Sequence, residues 1–405
     1  MNVEIPDALK AEVPPTMWGR VLAATPVVLA VVATLLAGLA SNEMSTAQYG
    51  RSLAAQQQSK AGDQWGYFQA KRLRGTGLKT AGDMLQVTAE VGRFDPATLK
   101  SSFAGLARAL SRCDECAQRL SIALNSAGPT DQATATSLAG QLGAFLNAAP
   151  VRTAEVTRLA ADLAALLSAA DASSALGILC GGDLPAHDAG PKPDAGLAAA
   201  LEGLQDELSE AQMERLLARV SDSQLEEALQ AAWERVRAFD KQLAPVNDLS
   251  DRFGDLLDRQ VALAQGPLTI ARLMATIPHE AGPGLRQAAE ALASACSAAH
   301  AETLQLVRDF TAVQFAYSAR RYDAEAALNQ NIANLYELQV RKNNISADRH
   351  HTRGQRFFFG MLVAQAGVII ATLAMAARRR NLLWSLAAGA GLAAVSFTVY
   401  VFLAV

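Results

Sequence analysis

The chain has 405 residues, 51% of them hydrophobic and 19% charged, with four cysteines and a formal net charge of −3. That balance excludes a disordered polyelectrolyte, a disulfide-dense miniprotein and a protein organised around a basic nucleic-acid surface. The apolar excess gathers at the two ends, a distribution that an ordinary soluble enzyme does not have.

Residues 1–20 form a mixed-charge tail, and residues 21–40 carry no charge at all. About twenty helical residues, rising about 1.5 Å each, cross a hydrocarbon core of about 30 Å. Trp18 and Arg20 stand at the near end of this stretch as interfacial anchors, and Pro26 within it is tolerable in a membrane helix. Gly38-Leu39-Ala40 resembles a small-residue cleavage site. The apolar run is nevertheless longer than the core of a secretory signal, and a polar tail precedes it, so the segment reads as a retained span.

Residues 41–95 read as the first helix of a stalk, rich in Ala, Gln, Leu and Lys and without proline until Pro96. Gly75 and Gly77 predict a bend or break there, and Asp95-Pro96 ends the segment and starts the next helix. Residues 96–300 then predict a head of shorter helices over 96–126, 131–148, 151–175, 194–219, 222–243, 247–264, 268–276 and 283–300. Prolines 150, 245, 267 and 278 punctuate them, and a Gly/Pro-rich loop over 181–193 divides the head into halves. Ser221 followed by Gln224 is an N-terminal capping box. No strand pattern and no fixed-period repeat is visible.

Residues 301–356 return as the second stalk helix, with a face of Leu304, Val307, Phe310, Val313, Tyr317, Leu328, Ile332, Leu335 and Leu338. Arg320, Arg321, Asp323 and Glu325 interrupt that face. Two long helices tethered to one membrane surface pack most economically antiparallel. Trp65, Phe68, Phe310, Tyr317 and Leu335 are the expected stalk-packing anchors. Gln56-Gln57-Gln58 and Asn329-Gln330-Asn331 mark either a partly polar seam or, on the plainer reading, a wet outer face.

Residues 357–377 form a second uncharged span, opening on Phe357-Phe358-Phe359. After Arg378-Arg379-Arg380-Asn381, residues 382–405 form a third, which the short connector makes an antiparallel hairpin with the second. Small residues at Gly389-Ala390-Gly391 permit close helix approach, and Gln365 is placed to hydrogen-bond between helices. Positive charge on short loops and tails marks the cytoplasmic side. Lys10, Arg20 and the arginine triplet then place residues 41–356 on the extracytoplasmic side of the membrane. Arg349, Arg353 and Arg356 beside span two pull the other way, which leaves a cytoplasmic head as the alternative. The fold class expected is an all-α membrane protein: three transmembrane helices, with an antiparallel helical stalk and multi-helix head between spans one and two.

Few constellations suggest chemistry. Cys113-Asp114-Glu115-Cys116 has the spacing of a redox pair, but lacks a βαβ context, and the two carboxylates oppose thiol activation. Structural disulfides, buried thiols and a metal or redox site all remain open for the cysteines; zinc would require Cys180 and Cys296 to converge on the pair. Arg349, His350, His351, Arg353 and Arg356, together with Arg378, Arg379 and Arg380, form an interfacial basic cluster suited to lipid headgroups. Asp248, Asp251, Asp255 and Asp258 with Arg252 and Arg259 have the spacing of a solvated, salt-bridged helix face. His187, His279 and His300 are isolated. No phosphate loop, nucleophile elbow or zinc-protease motif occurs, and the spans hold no charged residue for a proton or ion relay.

The stretch from Ser52 to Lys71, centred on Asp63-Gln64-Trp65 and Ala70-Lys71, resembles the membrane-proximal helix of the bacterial domain of unknown function 4337 family. Residues 322–340, Arg349 and the hairpin over 357–400, with Gln365-Ala366-Gly367, are similar to that family's C-terminal part. The resemblance implies a multi-span bacterial membrane protein with a helical region. It implies no activity and carries over no catalytic or binding residue, and residues 96–300 lie outside it.

These readings converge on a membrane-anchored helical interaction or scaffold protein without catalytic activity or cofactor, self-associating and in contact with lipid and possible protein partners but not nucleic acid. A helical-bundle sensor relaying through a partner is the alternative, and a thiol redox protein using Cys113 and Cys116 the third.

Overall fold

A computed structural model of the chain describes residues 17–92, 94, 96–126, 132–186, 194–274, 283–377 and 380–404. Trp18, Arg378 and Arg379, like His187 and His279, lie outside the described residues or side chains, as does the side chain of Arg380. The elements are all α-helices: α1 (Met17–Thr88), α2 (Pro96–Ser126), α3 (Gln132–Asn147), α4 (Ala149–Ser168), α5 (Ala172–Leu179), α6 (Ala195–Gln205), α7 (Glu210–Leu217), α8 (Asp222–Met274), α9 (Pro283–Ala376) and α10 (Arg380–Ala404).

The longest helices are longer than their punctuation suggests. Helix α1 passes unbroken through Pro26, Gly75 and Gly77. Gly75 serves close approach rather than bending: a Cβ there would lie 3.0 Å from Asp323 Oδ1 and 3.3 Å from the Ala319 carbonyl oxygen. Helix α8 likewise runs through Pro245 and Pro267. An internal proline costs about 3 kcal/mol, but Leu243, Val246, Leu249 and Phe253 beside Pro245 are all buried in one core, and that packing outweighs the lost hydrogen bond.

Two helices expected as single pieces are instead broken. Over 151–175 the chain bends by 94° between α4 and α5, which lets Leu159, Leu163 and Leu166 share a core with Leu176 and Leu179. Over 194–219 it turns at Glu207, whose φ of 52° is left-handed. The Leu208 amide closes α6 by donating to the Gly203 carbonyl at 3.0 Å. The Ser209 amide then donates to Gln212 Oε1 at 3.1 Å, a capping box that starts α7. The box at Ser221 and Gln224 forms as expected, with the two reciprocal bonds at 2.7 and 3.1 Å.

Three helices among the described residues are long and apolar enough to cross a membrane, within α1, α9 and α10. Thr136–Ser168 and Ala172–Leu179 are apolar enough to pass only when taken together as one broken span, and Leu159, Leu163, Leu166, Leu176 and Leu179 of this stretch lie in the core.

The chain forms two compact units. The first comprises Met1–Gln64, Lys192–Leu229 and Ile332–Val405. Here Ala33, Leu36 and Ala40 of α1 pack against Phe357 and Ala364 of α9 and Ala394 and Val401 of α10. Leu29, Ala371 and Ala387 extend the same arrangement. A Cβ on Gly391 would lie 2.5 Å from Leu29 Cδ2, and one on Gly367 3.2 Å from Leu29 Cδ1 and 3.3 Å from Ala390 Cβ. Ala390 and Gly391 of α10 therefore serve close approach within this chain, whereas Gly389 has open space beside it. Trp384 Nε1 donates to Thr25 Oγ1 at 3.0 Å, while Gln365 is exposed. Val27, Leu35, Phe359, Ile369, Leu392 and Phe402 turn outward.

In the same unit α1 and α9 pair antiparallel. Glu43 meets His350, Arg51 meets Asp348 at 3.1 Å, Gln57 accepts from Asn343 at 2.6 Å, and Lys60 lies over the Tyr336 ring. Lys342 reaches Asp222 at 2.7 Å, and Arg349 reaches Glu214 at 2.8 Å, which ties α9 to the start of α8 and to α7.

The second unit comprises Trp65–Pro191 and Gln230–Asn331. Within it α1 and α9 are again antiparallel, with Lys71 on Glu325 at 2.8 Å and the Gly92 amide donating to Asp309 Oδ1 at 2.7 Å. Its main core centres on Phe94, Phe253 and Phe310, whose rings lie 5.4 to 6.1 Å apart. A second cluster joins Cys113, Ala117 and Leu120 of α2, Leu142 of α3, and Leu292 and Cys296 of α9.

Candidate functional site

Trp65 and Phe68 meet edge to face at 5.4 Å, one helical turn apart on α1. Phe310 and Tyr317 are buried, but they join the core built on α8; Leu335 is also buried. Along the expected α9 face Leu304 is an exception at 37% exposure. Asp309, buried on that face, escaped the apolar pattern because its partner is a backbone amide 217 residues away. Both readings hold in part: Asn329 is buried and donates to the Glu325 carbonyl of its own helix and Gln57 pairs with Asn343, while Gln56, Gln58 and Asn331 are exposed.

The charged interruption of α9 forms a structural junction. Arg320 donates to the carbonyl oxygens of Gly182 at 2.7 Å and Ile178 at 3.0 Å, and the Ile178 oxygen also accepts from the Gly181 amide at 3.3 Å. Arg321 binds Glu325 at 2.7 Å and Asn247 Oδ1 at 2.9 Å, and the Tyr317 hydroxyl donates to the same Asn247 oxygen at 2.9 Å. Burial raises the Tyr317 phenol above its ordinary value. Burial opposes the charge on Arg321, but its hydrogen bond to Glu325 and that group's charge raise its pKa overall. Glu325 thus holds Arg321 and Lys71 together, with its own side chain 9% exposed. Removing it in Glu325→Ala leaves two half-buried cations without their anion. The expected loss is about 2 kcal/mol, read as a lowered unfolding midpoint, with Glu325→Gln falling between variant and parent.

Cys113 and Cys116 lie in the middle of α2, away from the N-terminal dipole that would activate a thiol. Cys113 and Cys296 are fully buried, Cys116 is half-buried and Cys180 exposed, and all four are thiols. The Cys296 thiol hydrogen-bonds to Cys113, which lowers the Cys113 pKa; its own is raised by that bond and then by burial. Burial raises Cys116, with the Cys113 charge adding to it. Cys180 does not converge on the pair, and among the described residues no three His, Cys, Asp or Glu side chains are grouped to hold a metal ion. Arg152 closes the region by pairing with Asp114 and stacking 3.7 Å over the Phe145 ring.

Of the basic cluster before the apolar segment of α9, Arg349 and His350 are engaged by Glu214 and Glu43, and His351 contacts Gln355 at 3.0 Å. Arg353 Nε and Arg356 Nη1 are buried without a hydrogen-bond partner. On α8, Arg252 pairs with Asp248 along the exposed face. Arg259 crosses to α4, binding Glu155 at 2.6 Å and Asp162 at 2.9 Å, and those bonds raise its pKa. A polar cleft of about 420 Å³ between α2 and α9 is lined by Arg108, Arg112, Ser294 and Glu302 over an alanine floor.

No curated protein and no solved structure matches the chain. The C-terminal likeness over 322–400 lies beyond the reach of the family match, whereas the match extends past the membrane-proximal flank into α2. It takes in Cys113 and Cys116, part of a region for which the sequence offered no family support. Over residues 18–121 the chain matches the family described as Domain of unknown function (DUF4337), in agreement with the resemblance read from the stretch around Trp65.

Proposed function

We propose that the protein is a three-span protein of the bacterial cytoplasmic membrane whose region 41–356 is an extracytoplasmic interaction or scaffold module without catalytic activity. The observation that carries this reading is the continuity of α1 and α9. Each runs without a break from an apolar, span-length segment into an antiparallel pair fastened by polar side chains. Charged groups that could serve chemistry are committed to joining helices, as at Arg259, Arg320, Arg321 and Glu325. Leu73, Met84 and Val87 share one exposed face of α1, which supports self-association through the helical region.

The test is the mass of the intact chain extracted in mild detergent. More than one copy is expected, reduced to a single copy by Leu73→Glu with Val87→Glu; a parent protein that is already a single copy overturns the self-association.

Sensing is the second reading, favoured by the α2–α9 cleft. Guanidinium groups of Arg108 and Arg112 on one side and the Glu302 carboxylate on the other line one space, and unbroken helices are suited to carrying a shift toward the spans.

A further inference from the structure

The three uncharged runs over 21–40, 357–377 and 382–405 hold a single amide side chain, Gln365. It lies about 12 Å along α9 from Phe357 at about 1.5 Å per residue, near the middle of a hydrocarbon core of about 30 Å. The packing of the three apolar helices does not take it in: Ala364, Gly367, Ala371 and Ala374 are buried, while Gln365 is exposed. Its side chain forms no hydrogen bond among the described residues. Thr372, further along the same face, is satisfied locally, since its hydroxyl donates to the Ile369 carbonyl at 2.8 Å. An amide left unpaired in hydrocarbon is costly, and lipid tails offer it no partner.

Phe358, Leu362, Gln365, Ile369, Thr372 and Ala376 are all exposed, and their steps of four and three residues set them in one line along α9. That is the spacing of a helix–helix seam, in which a single polar position fixes register and partner. At its first end the line borders an apolar groove of about 630 Å³ between α1 and α9, with Phe358 and Met361 on one wall and Ala40 and Met44 on the other.

We propose that span two is a contact between copies of this chain, in which Gln365 hydrogen-bonds to its counterpart in a second copy. The contact rests on the membrane placement and self-association proposed above, and adds a seam within the spans to the exposed α1 face. Every copy crosses the membrane in the same sense, so two α9 spans meet parallel about a two-fold axis along the membrane normal. That symmetry sets position 365 against position 365. A carboxamide both donates and accepts, so two identical side chains satisfy each other with reciprocal hydrogen bonds.

The experiment uses the full-length protein in its native membrane. A photo-crosslinking phenylalanine analogue replaces Leu362 or Ile369 in turn and, as a control on an outward face of α10, Leu392, which is exposed. The expected result is an adduct of two chains from positions 362 and 369, mapped by mass spectrometry to α9 of the second copy, and none from 392. Gln365→Leu lowers that adduct by about fivefold or more while the chain accumulates like the parent, and Gln365→Asn, which keeps the amide, retains most of it. An adduct undiminished in Gln365→Leu, equal yield from 392, adducts only to lipid or to a protein of another mass, or no adduct at all overturns the seam. If the parent still runs as more than one copy in mild detergent, any of those results leaves the self-association standing. A single-copy parent without an adduct overturns both.

Discussion

Phe253→Ala is expected to destabilise the second unit by about 3–5 kcal/mol, seen as a fall in the unfolding midpoint of the detergent-solubilised protein. Phe253 is 1% exposed and its ring meets both Phe94 and Phe310, so truncation opens a cavity among side chains from three segments that cannot readily close over it. The aromatic trio joins α8, α9 and the residues that follow α1, whereas most of the surrounding core is leucine and alanine. Phe253→Leu keeps most of the volume and is expected to lose less than half as much. A change in Phe253→Ala no larger than that in the exposed control Leu304→Ala would show that these rings do not organise the core.

Ala364→Asp should have the other large effect. Ala364 is fully buried where α1, α9 and α10 converge, beside Ala33, Leu36 and Ala394. A carboxylate there lacks a partner and lies in the apolar segment of α9, at a cost of about 3 kcal/mol or more. The variant is expected to accumulate poorly in membranes and to lose the monodisperse behaviour of the parent in detergent. Gln365→Leu is the control, because position 365 is exposed on the same helix and an apolar side chain is tolerated there. If Ala364→Asp accumulates as well as Gln365→Leu, the assignment of Ala364 to a buried apolar position is wrong.

The sequence disclosed the helices well because their determinants are local. An uncharged run, the absence of alternation, the capping pair Ser221 and Gln224 and the helix start at Pro96 all act within a few residues. What it concealed depends on partners distant in the chain. Pro245 reads as a stop until Leu243, Val246 and Leu249 are seen buried together, and Gly75 reads as a hinge until Asp323 is found beside it. Arg320 and Arg321 look like an interruption of the α9 face, yet they meet the carbonyl ends of α5 and the side chain of Asn247. The break after Gln205 did have a local signal, since Ser209 and Gln212 repeat the spacing of Ser221 and Gln224. The burial of Cys113 and Cys296 in one cluster, with Cys116 only partly buried against it, had none.

The central claim is that uncharged helices separate residues 41–356 from the loop between the last two spans. Its most direct test places one exposed cysteine on each side, in Ser59→Cys and Asn381→Cys, and reads impermeant-maleimide labelling of intact cells by peptide mapping. Both positions are exposed and lie outside the uncharged segments. The account predicts labelling at residue 59 in intact cells and at residue 381 only after lysis. The reverse pattern would put the helical region in the cytoplasm, and equal labelling at both positions would contradict a membrane between them.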